Sequence, residues 1–130
     1  MNLDEIKYPK KCNLCDGNVR YTSNAEVYGK EYGSGKCYLC EQCGAYVGTH
    51  KPRPQEALGL LANEEMRKLK MACHDAFDSL WLNSKDRRGE RVKCYEWLSK
   101  QMGLPLELTH FGYMNLEQLK QAYKLIKEKK

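Results

Sequence analysis

The sequence is poor in large apolar residues and contains no long hydrophobic run. Two phenylalanines and two tryptophans occur in 130 residues, and hydrophobic residues of all kinds make up 42% of the chain. No segment approaches the roughly 20 consecutive apolar residues of a membrane-spanning helix, so a membrane protein is excluded. Because so short a chain of this composition buries only a small core, we expect a second source of stability.

Signals for export and for nucleophilic catalysis are also absent. Residues 1–5 contain neither a basic segment nor an apolar one, so no secretory signal is predicted. No nucleophile motif occurs along the chain, and no small-molecule substrate is expected. We therefore expect a soluble protein of the cytoplasm.

Two Cys-x-x-Cys pairs form the strongest motif. The first runs from Cys12 to Cys15 and the second from Cys40 to Cys43, with 24 residues between the pairs. Zn²⁺ prefers four soft or borderline ligands in a tetrahedron, and each Cys-x-x-Cys turn directs two sulfurs at one ion. The pattern predicts one structural zinc ion, bound by Cys12, Cys15, Cys40 and Cys43 in a zinc ribbon.

A glycine follows each pair closely. Gly44 comes directly after its second cysteine, and Gly17 follows its own by two positions. Because a knuckle turn needs a residue that tolerates positive φ, we predict that both glycines serve this purpose. Cys37 forms a further Cys-x-x-Cys with Cys40, but it lies in a strand-like run, and a role for it as a substitute ligand or in a second metal site is the lesser alternative.

Redox and disulfide chemistry are the other interpretations of these cysteines. A redox Cys-x-x-Cys needs a βαβ context and no second pair, whereas disulfides would require an oxidising compartment. With four cysteines on zinc, Cys37, Cys73 and Cys94 remain as free thiols, and free thiols fit a reducing cytoplasm.

Residues 1–50 are predicted to form the ribbon, a small antiparallel sheet. Alternating residues predict a strand over Asn18–Thr22 and its hairpin partner at Ala25–Gly29. Further short strands are predicted at Cys37–Leu39 and Ala45–Gly48. Five tyrosines fall on this sheet, namely Tyr21, Tyr28, Tyr32, Tyr38 and Tyr46. They form either a stacking platform for nucleobases or the cover of a small ribbon, and we favour the second.

Residues 51–62 are predicted to be a connector. Two prolines within Lys51–Pro54 exclude helix there, so the domain boundary is placed at this point. The apolar segment Ala57–Ala62 is expected to pack against the helices that follow.

Residues 63–130 are predicted to form a basic unit of three helices, so the fold class is α+β. Apolar residues at helical spacing predict a helix of about 20 residues after the N-cap Asn63. A second helix is predicted over Glu90–Met102, ended by Gly103. A third begins after Asn115, where Gln118 supplies a capping box.

The net charge of +5 comes entirely from residues 51–130, because residues 1–50 hold six basic and six acidic side chains. Clustered lysine and arginine side chains neutralise phosphates. The candidate contacts are Arg67, Lys68, Lys85, Arg87, Arg88, Arg91 and Lys93. An ordinary solvated surface explains these charges equally well, and no base-reading motif predicts sequence-specific binding.

A catalytic site is a further possibility. His74 and Asp78 lie one turn apart on the first predicted helix, and His50 and His110 lie in connectors. Such groups serve as metal ligands or as general acid and base. Because no second metal motif or nucleophile accompanies them, we predict that the protein is not an enzyme.

Several segments beyond the cysteines form a set of their own. They are Ala25–Gly29 with Tyr32-Gly33, Cys43–His50, Leu58-Gly59 with Leu61-Ala62, His74–Asp78 with Leu80-Trp81, Tyr95–Leu98 and His110–Gly112. With the paired Cys-x-x-Cys, this set resembles a family of small zinc-finger-containing proteins of bacteriophages and prophages that has no assigned function. The resemblance covers nearly the whole chain and implies a phage origin, a bacterial host cytoplasm and a zinc-bound N-terminal part. It implies no activity.

Two positions depart from that family pattern. Ala57 stands where a proline is common, and Thr109 stands where a cysteine often precedes the histidine. The second departure argues against a metal ligand beside His110.

Two functional hypotheses follow. The first is a phage-encoded accessory protein with structural zinc that binds nucleic acid without catalysis. The second is a protein-interaction module that binds or inhibits a host protein of defence or transcription, through apolar anchors such as Trp81 or the ribbon tyrosines. Four thiolates leave no open position on zinc for a substrate, so both hypotheses are non-catalytic.

Overall fold

The computed structural model describes residues 2–129 and confirms the α+β class. The chain divides after Asn63 into two compact units. The first unit contains a three-stranded antiparallel sheet, and the second contains three longer helices. Within residues 2–129, no helix has the length and apolar character needed to cross a membrane.

The sheet of the first unit has the strand order β1-β2-β3, with both pairings antiparallel. Its strands are β1 (Val19–Ser23), β2 (Lys36–Cys40) and β3 (Tyr46–Gly48). Two short helices accompany it, α1 (Leu3–Lys7) and α2 (Ala25–Tyr28). The central strand β2 ends at Cys40, opposite Val19 of β1, so it runs directly into the second Cys-x-x-Cys pair.

The segment Ala25–Gly29 was predicted to be a strand, and this prediction is wrong. Its first four residues form the single turn of α2, which Gly29 ends with a left-handed φ of 86°. The buried Asn24 side chain then fixes the following loop: Nδ2 donates to the Tyr32 carbonyl at 2.8 Å, and Oδ1 accepts from the Tyr32 N–H at 3.1 Å. The pairing partner of β1 is therefore β2, across a loop that Asn24 holds together.

The predicted connector, residues 51–62, is part of the first unit. Ala57 and Leu61 were expected to pack against the helices, but they lie in a buried cluster with Tyr38 and Val47 of the sheet. The first compact unit therefore includes residues 51–62 as well as the sheet.

Two ribbon tyrosines hold this segment in place. The Tyr38 hydroxyl donates to the carbonyl of Gln55 at 2.6 Å, and the Tyr21 hydroxyl donates to that of Pro54 at 2.8 Å. The other three tyrosine rings meet edge to face, with centroids 5.7 Å apart for Tyr28–Tyr32 and 5.8 Å apart for Tyr28–Tyr46. At least two of the five tyrosines are thus structural.

The second unit contains α3 (Glu64–Asp78), α4 (Arg87–Met102) and α5 (Leu116–Glu128). Two 3₁₀ turns, Leu106–Leu108 and Phe111–Tyr113, connect the last two helices. α3 has 15 residues, fewer than the predicted 20, because tighter turns through Leu82 follow Asp78. The cap at Asn115 with Gln118 is confirmed, with both reciprocal hydrogen bonds at 2.9 Å.

α4 begins three residues before the predicted start at Glu90. The Asp86 side chain caps it by accepting a hydrogen bond from Gly89 N at 3.1 Å. A Cβ at Gly89 would meet the Asp86 carboxylate, so a larger residue there would require that side chain to shift. Gly103 ends the helix in the left-handed conformation with φ of 65°, as predicted.

The core of the second unit is formed by one stripe from each helix. The buried residues are Met66, Cys73 and Phe77 of α3, Cys94 and Leu98 of α4, and Leu119, Ala122 and Ile126 of α5. Phe111 of the second 3₁₀ turn packs edge to face on Phe77, with centroids 5.5 Å apart. Cys73 and Cys94 are therefore small core residues.

Candidate metal centre

Four cysteine sulfurs of the first unit lie in one cluster. The Sγ atoms of Cys12, Cys15, Cys40 and Cys43 all lie within 4.8 Å of one another. Cys12 and Cys43 are separated by 3.7 Å between Sγ atoms, and Cys15 and Cys40 by 3.4 Å. A tetrahedral ion with Zn–S bonds of about 2.3 Å places its sulfurs about 3.8 Å apart. The cluster therefore suits one zinc ion.

The two Cys-x-x-Cys turns, which we call the knuckles, have the same hydrogen-bond pattern. In each, the first cysteine N–H donates to the carbonyl five residues on, and its own carbonyl accepts from the N–H four residues on. The donating bonds run from Cys12 N to Gly17 O and from Cys40 N to Ala45 O, and both are 2.8 Å long. The accepting bonds run from Asp16 N to Cys12 O at 2.9 Å and from Gly44 N to Cys40 O at 3.2 Å. Two copies of one turn thus supply two sulfurs each.

Gly17 and Gly44 serve different purposes, contrary to the prediction. Gly44 has a left-handed φ of 80°, but the matching left-handed residue of the first knuckle is Asp16, with φ of 63°. A Cβ at Gly17 would lie 2.8 Å from Cβ of Gln42, 3.1 Å from Sγ of Cys40 and 3.2 Å from Sγ of Cys15. Gly17 is therefore needed because the knuckles approach each other closely.

Backbone N–H groups point at the sulfurs and favour their thiolate forms. Sγ of Cys12 accepts from Leu14 N, and Sγ of Cys40 accepts from Cys43 N and Gln42 N, each at 3.4 Å. These two N–H groups lower the pKa of Cys40 to about 6, whereas burial raises the pKa of Cys12. One thiolate is thus favoured near neutral pH, and zinc binding releases the protons of the other thiols.

The Asn13 side chain attaches the first knuckle to the segment before Asn63. Its Nδ2 donates to the Leu61 carbonyl at 3.0 Å, and its Oδ1 accepts from the Leu61 N–H at 2.9 Å. Sequence reasoning missed this pair, although an asparagine between the two cysteines of a knuckle was visible. The position of the first knuckle therefore depends on a residue 48 positions further along the chain.

Cys37 lies outside the cluster. It is buried in β2, where its Sγ is 4.0 Å from the carbonyl of Ser23. Among residues 2–129, the four-cysteine cluster is the only group of three or more His, Cys, Asp or Glu donors close enough to share a metal ion. The structure thus brings together the four cysteines chosen from the spacing and leaves Cys37 apart.

A family model described as a zinc-finger-containing domain matches residues 8–129. The chain belongs to this family. The match includes both knuckles and all three long helices, so the zinc-finger-containing domain comprises the helical unit as well as the ribbon. No curated protein and no solved structure matches the chain.

The basic side chains singled out from the sequence lie on two helices of the second unit and on the turn between them. Arg67 and Lys68 belong to α3, and Lys68 forms an ion pair with Glu64 at 3.1 Å. Arg87, Arg88, Arg91 and Lys93 belong to the first two turns of α4, and Lys85 precedes its cap. All five of these are exposed. Arg87 and Arg88, which precede the predicted helix start at Glu90, are therefore helical as well.

The histidines occupy aromatic surroundings. His74 meets the Phe111 ring edge to face, with centroids 4.8 Å apart, and His110 lies between Tyr95 and Tyr113 at 5.6 and 5.2 Å. Desolvation lowers the pKa of both His74 and His110, and the positive charge of Arg91 acts in the same direction. The backbone N–H of His50 donates to the carbonyl of Glu56 at 3.0 Å.

Proposed function

We propose that this zinc-finger-containing domain is a phage-encoded accessory protein that binds nucleic acid without catalysis. The observation that carries the proposal is the start of α4, where exposed basic side chains have no carboxylate partner among residues 2–129. When bound, zinc cross-links the two knuckles and holds the ribbon together; four cysteine ligands complete its tetrahedron and leave the chemistry of the ion unused.

The basic side chains around the start of α4 are concentrated in one short stretch of the chain. Within the described residues, Lys85, Arg87, Arg88 and Lys93 form no ion pair with a carboxylate. In the ribbon, by contrast, Arg20 pairs with Glu26 at 2.9 Å and lies 3.6 Å from Glu41. Unpaired cations concentrated on one surface attract a polyanion, whereas paired cations contribute little.

The acidic residues near this surface do little to neutralise its positive charge. Asp86 is occupied as the helix cap, and Glu90 is partly buried. Residues 64–130 as a whole hold 14 basic and 10 acidic side chains, so the helical unit carries a net charge of +4. Phosphate groups that contact α4 would release counterions, and this release makes binding dependent on salt.

The test is binding of zinc-loaded protein to labelled single- and double-stranded DNA and RNA at low and near-physiological salt. We expect salt-sensitive binding that the Arg87→Ala/Arg88→Ala variant weakens. For each phosphate that the variant no longer neutralises, the slope of log Kd against log salt should fall by about 0.9 with duplex DNA and by about 0.7 with single strands. The matched control is Lys120→Ala/Lys124→Ala, which removes the same charge from α5. Equal weakening by both variants would contradict the assignment of the contacts to α4, and no binding at low salt would contradict the proposal.

A protein-interaction role is the second candidate, and exposed apolar side chains on the helical unit favour it. Val92 is 50% exposed, Leu106 51% and Met71 67%. Surface leucines and valines occur singly on most proteins, but Val92 and Leu106 line the same groove. If nucleic acid fails to bind, host proteins captured by the wild-type chain and lost with Leu106→Glu would support this candidate.

A further inference from the structure

The helical unit has an open groove on the surface of α4 and the first 3₁₀ turn. Val92, Tyr95, Leu106, Glu107 and His110 line it, and its volume is about 490 Å³. Volumes of this order accommodate small ring systems. Half-exposed Val92 and Leu106 give the groove apolar sides that are open to solvent.

Tyr95 forms a rigid aromatic wall of the groove. Its ring packs behind on the fully buried Phe77, with centroids 4.6 Å apart, which restricts its rotation. On the groove side, the His110 ring is 5.6 Å away at an interplanar angle of 52°. A flat ring that enters the groove therefore meets the Tyr95 and His110 rings.

Basic side chains lie next to Tyr95 on the same face of α4. Arg88, Arg91, Val92 and Tyr95 follow the spacing i, i+3, i+4 and i+7, which places them on one face of α4. The Arg91 guanidinium lies over the Tyr95 ring at 5.2 Å and over the Trp81 ring at 5.7 Å. Arg88 is exposed and, among the described residues, has no carboxylate partner.

The opposite rim carries a charge of the other sign. Glu107, in the turn Leu106–Leu108, repels phosphate and accepts hydrogen bonds from amino groups. A ligand suited to this groove therefore has an aromatic ring with amino groups at one end and a phosphate at the other. Nucleotides have this arrangement.

We propose that the groove binds an unpaired base of a single nucleic-acid strand, in contact with the Tyr95 and His110 rings, while Arg88 and Arg91 neutralise adjacent phosphates. The inference rests on the proposed nucleic-acid function and adds that the preferred ligand is single-stranded. In a duplex the bases are paired and stacked inside, so entry into the groove would require unpairing a base, at an energetic cost.

Three probes of one sequence test the inference: a single strand, its duplex, and a single strand with abasic sites, which keeps the phosphates and lacks bases. We expect the wild type to prefer the normal single strand over both others. Tyr95→Ala should weaken single-strand binding roughly 5- to 150-fold without changing the salt slope, as loss of one stacked base does. Tyr95→Phe should retain most of the binding because the ring remains.

Leu106→Ala provides a second variant that does not depend on the core, because Leu106 is 51% exposed. It should weaken binding to the normal single strand and leave binding to the abasic strand unchanged. Ring-proton NMR signals of Tyr95 and His110 should shift with the normal strand and stay in place with the abasic one.

The two proposals fail in different ways. Equal affinity for all three probes, with Tyr95→Ala and Leu106→Ala harmless and Arg87→Ala/Arg88→Ala harmful, would overturn the groove and leave the nucleic-acid function standing. Absence of binding to every probe would overturn both. Competition for the groove by an apolar peptide but by no oligonucleotide would assign it to a protein partner instead.

Discussion

Asp16 and Gly44 occupy the same position in the two knuckles, and both have a left-handed backbone, with φ of 63° and 80°. A Cβ in this region costs of order 1–2 kcal/mol for most residues, and aspartate tolerates it better than most. The first knuckle therefore stores strain that the second avoids. Exchanging the residue types at these two positions therefore tests the cost of the left-handed conformation.

We predict that Asp16→Gly stabilises the zinc-loaded protein by up to about 1 kcal/mol and that Gly44→Ala destabilises it by about 1 kcal/mol. No atom lies within 4 Å of a Cβ at Gly44, so conformation alone is tested. Denaturant unfolding followed by circular dichroism measures both changes. The free energy of unfolding of Gly44→Asn should lie between those of wild type and Gly44→Ala. A reversed order among these variants would show that the left-handed conformation does not determine their stabilities.

Gly17→Ala should weaken zinc binding, because its Cβ would press on Gln42 and on two ligand sulfurs. Competition with a chromophoric chelator measures the affinity, which we expect to fall by about one order of magnitude, the effect of roughly 1.4 kcal/mol. The control is Gly48→Ala in β3, where a Cβ would make an ordinary contact of 3.6 Å with Leu58. If both variants bind zinc like wild type, the knuckles do not depend on close approach at Gly17.

Cys15→Ser should abolish stoichiometric zinc binding, whereas Cys37→Ser should keep one zinc per chain. The first removes a cluster sulfur and the second a buried thiol outside the cluster. Elemental analysis of purified variants gives the ratio directly. Zinc retained by Cys15→Ser and lost by Cys37→Ser would show that Cys37 is the fourth ligand.

Zinc affinity should fall as the pH is lowered, because protons compete with the ion for the thiolates. Chelation at neutral pH should then expose the amides of residues 10–62 to hydrogen exchange while those of α3, α4 and α5 stay protected, since the helices have a core of their own. Mass spectrometry of exchanged fragments measures this. Uniform loss of protection would show that the two units unfold together.

Asn13→Ala should destabilise the protein by about 2 kcal/mol, because two hydrogen bonds to the Leu61 backbone are removed and both backbone groups are left without that partner. Asn13→Asp removes the donor and keeps the acceptor, so about half that destabilisation is expected. Thermal unfolding of the zinc-loaded variants checks both values. An alanine variant as stable as wild type would mean that water replaces the amide.

The features set by local chemistry could be predicted from the sequence. The paired Cys-x-x-Cys identified the sulfur cluster because the spacing itself brings two ligands together, and the Asn115 cap with Gln118 lies within four residues. Ala25–Gly29 was mistaken for a strand, because a four-residue turn has no periodicity and the loop is fixed by Asn24 and Tyr32, eight residues apart.

The rest depends on contacts between distant parts of the chain. The burial of Ala57 and Leu61 on the sheet could not be predicted from the sequence, because an apolar segment after two prolines fits a linker and a core equally well. The groove could not be predicted from the sequence either, although Arg88, Arg91, Val92 and Tyr95 share a helical face. Its other wall comes from His110 and the turn at Leu106, which the sequence did not place beside α4.

The hydrogen bonds from Asn13 to Leu61 and from Tyr38 to Gln55 also define where the chain can be cut. A fragment that stops at His50 keeps every zinc ligand, yet it loses the side chains that shield Tyr38 and the partner that orients the first knuckle. We therefore expect the smallest fragment that binds zinc on its own to end near Asn63, and proteolysis of the native chain should spare the stretch from Ala57 to Ala62 for as long as the metal stays bound.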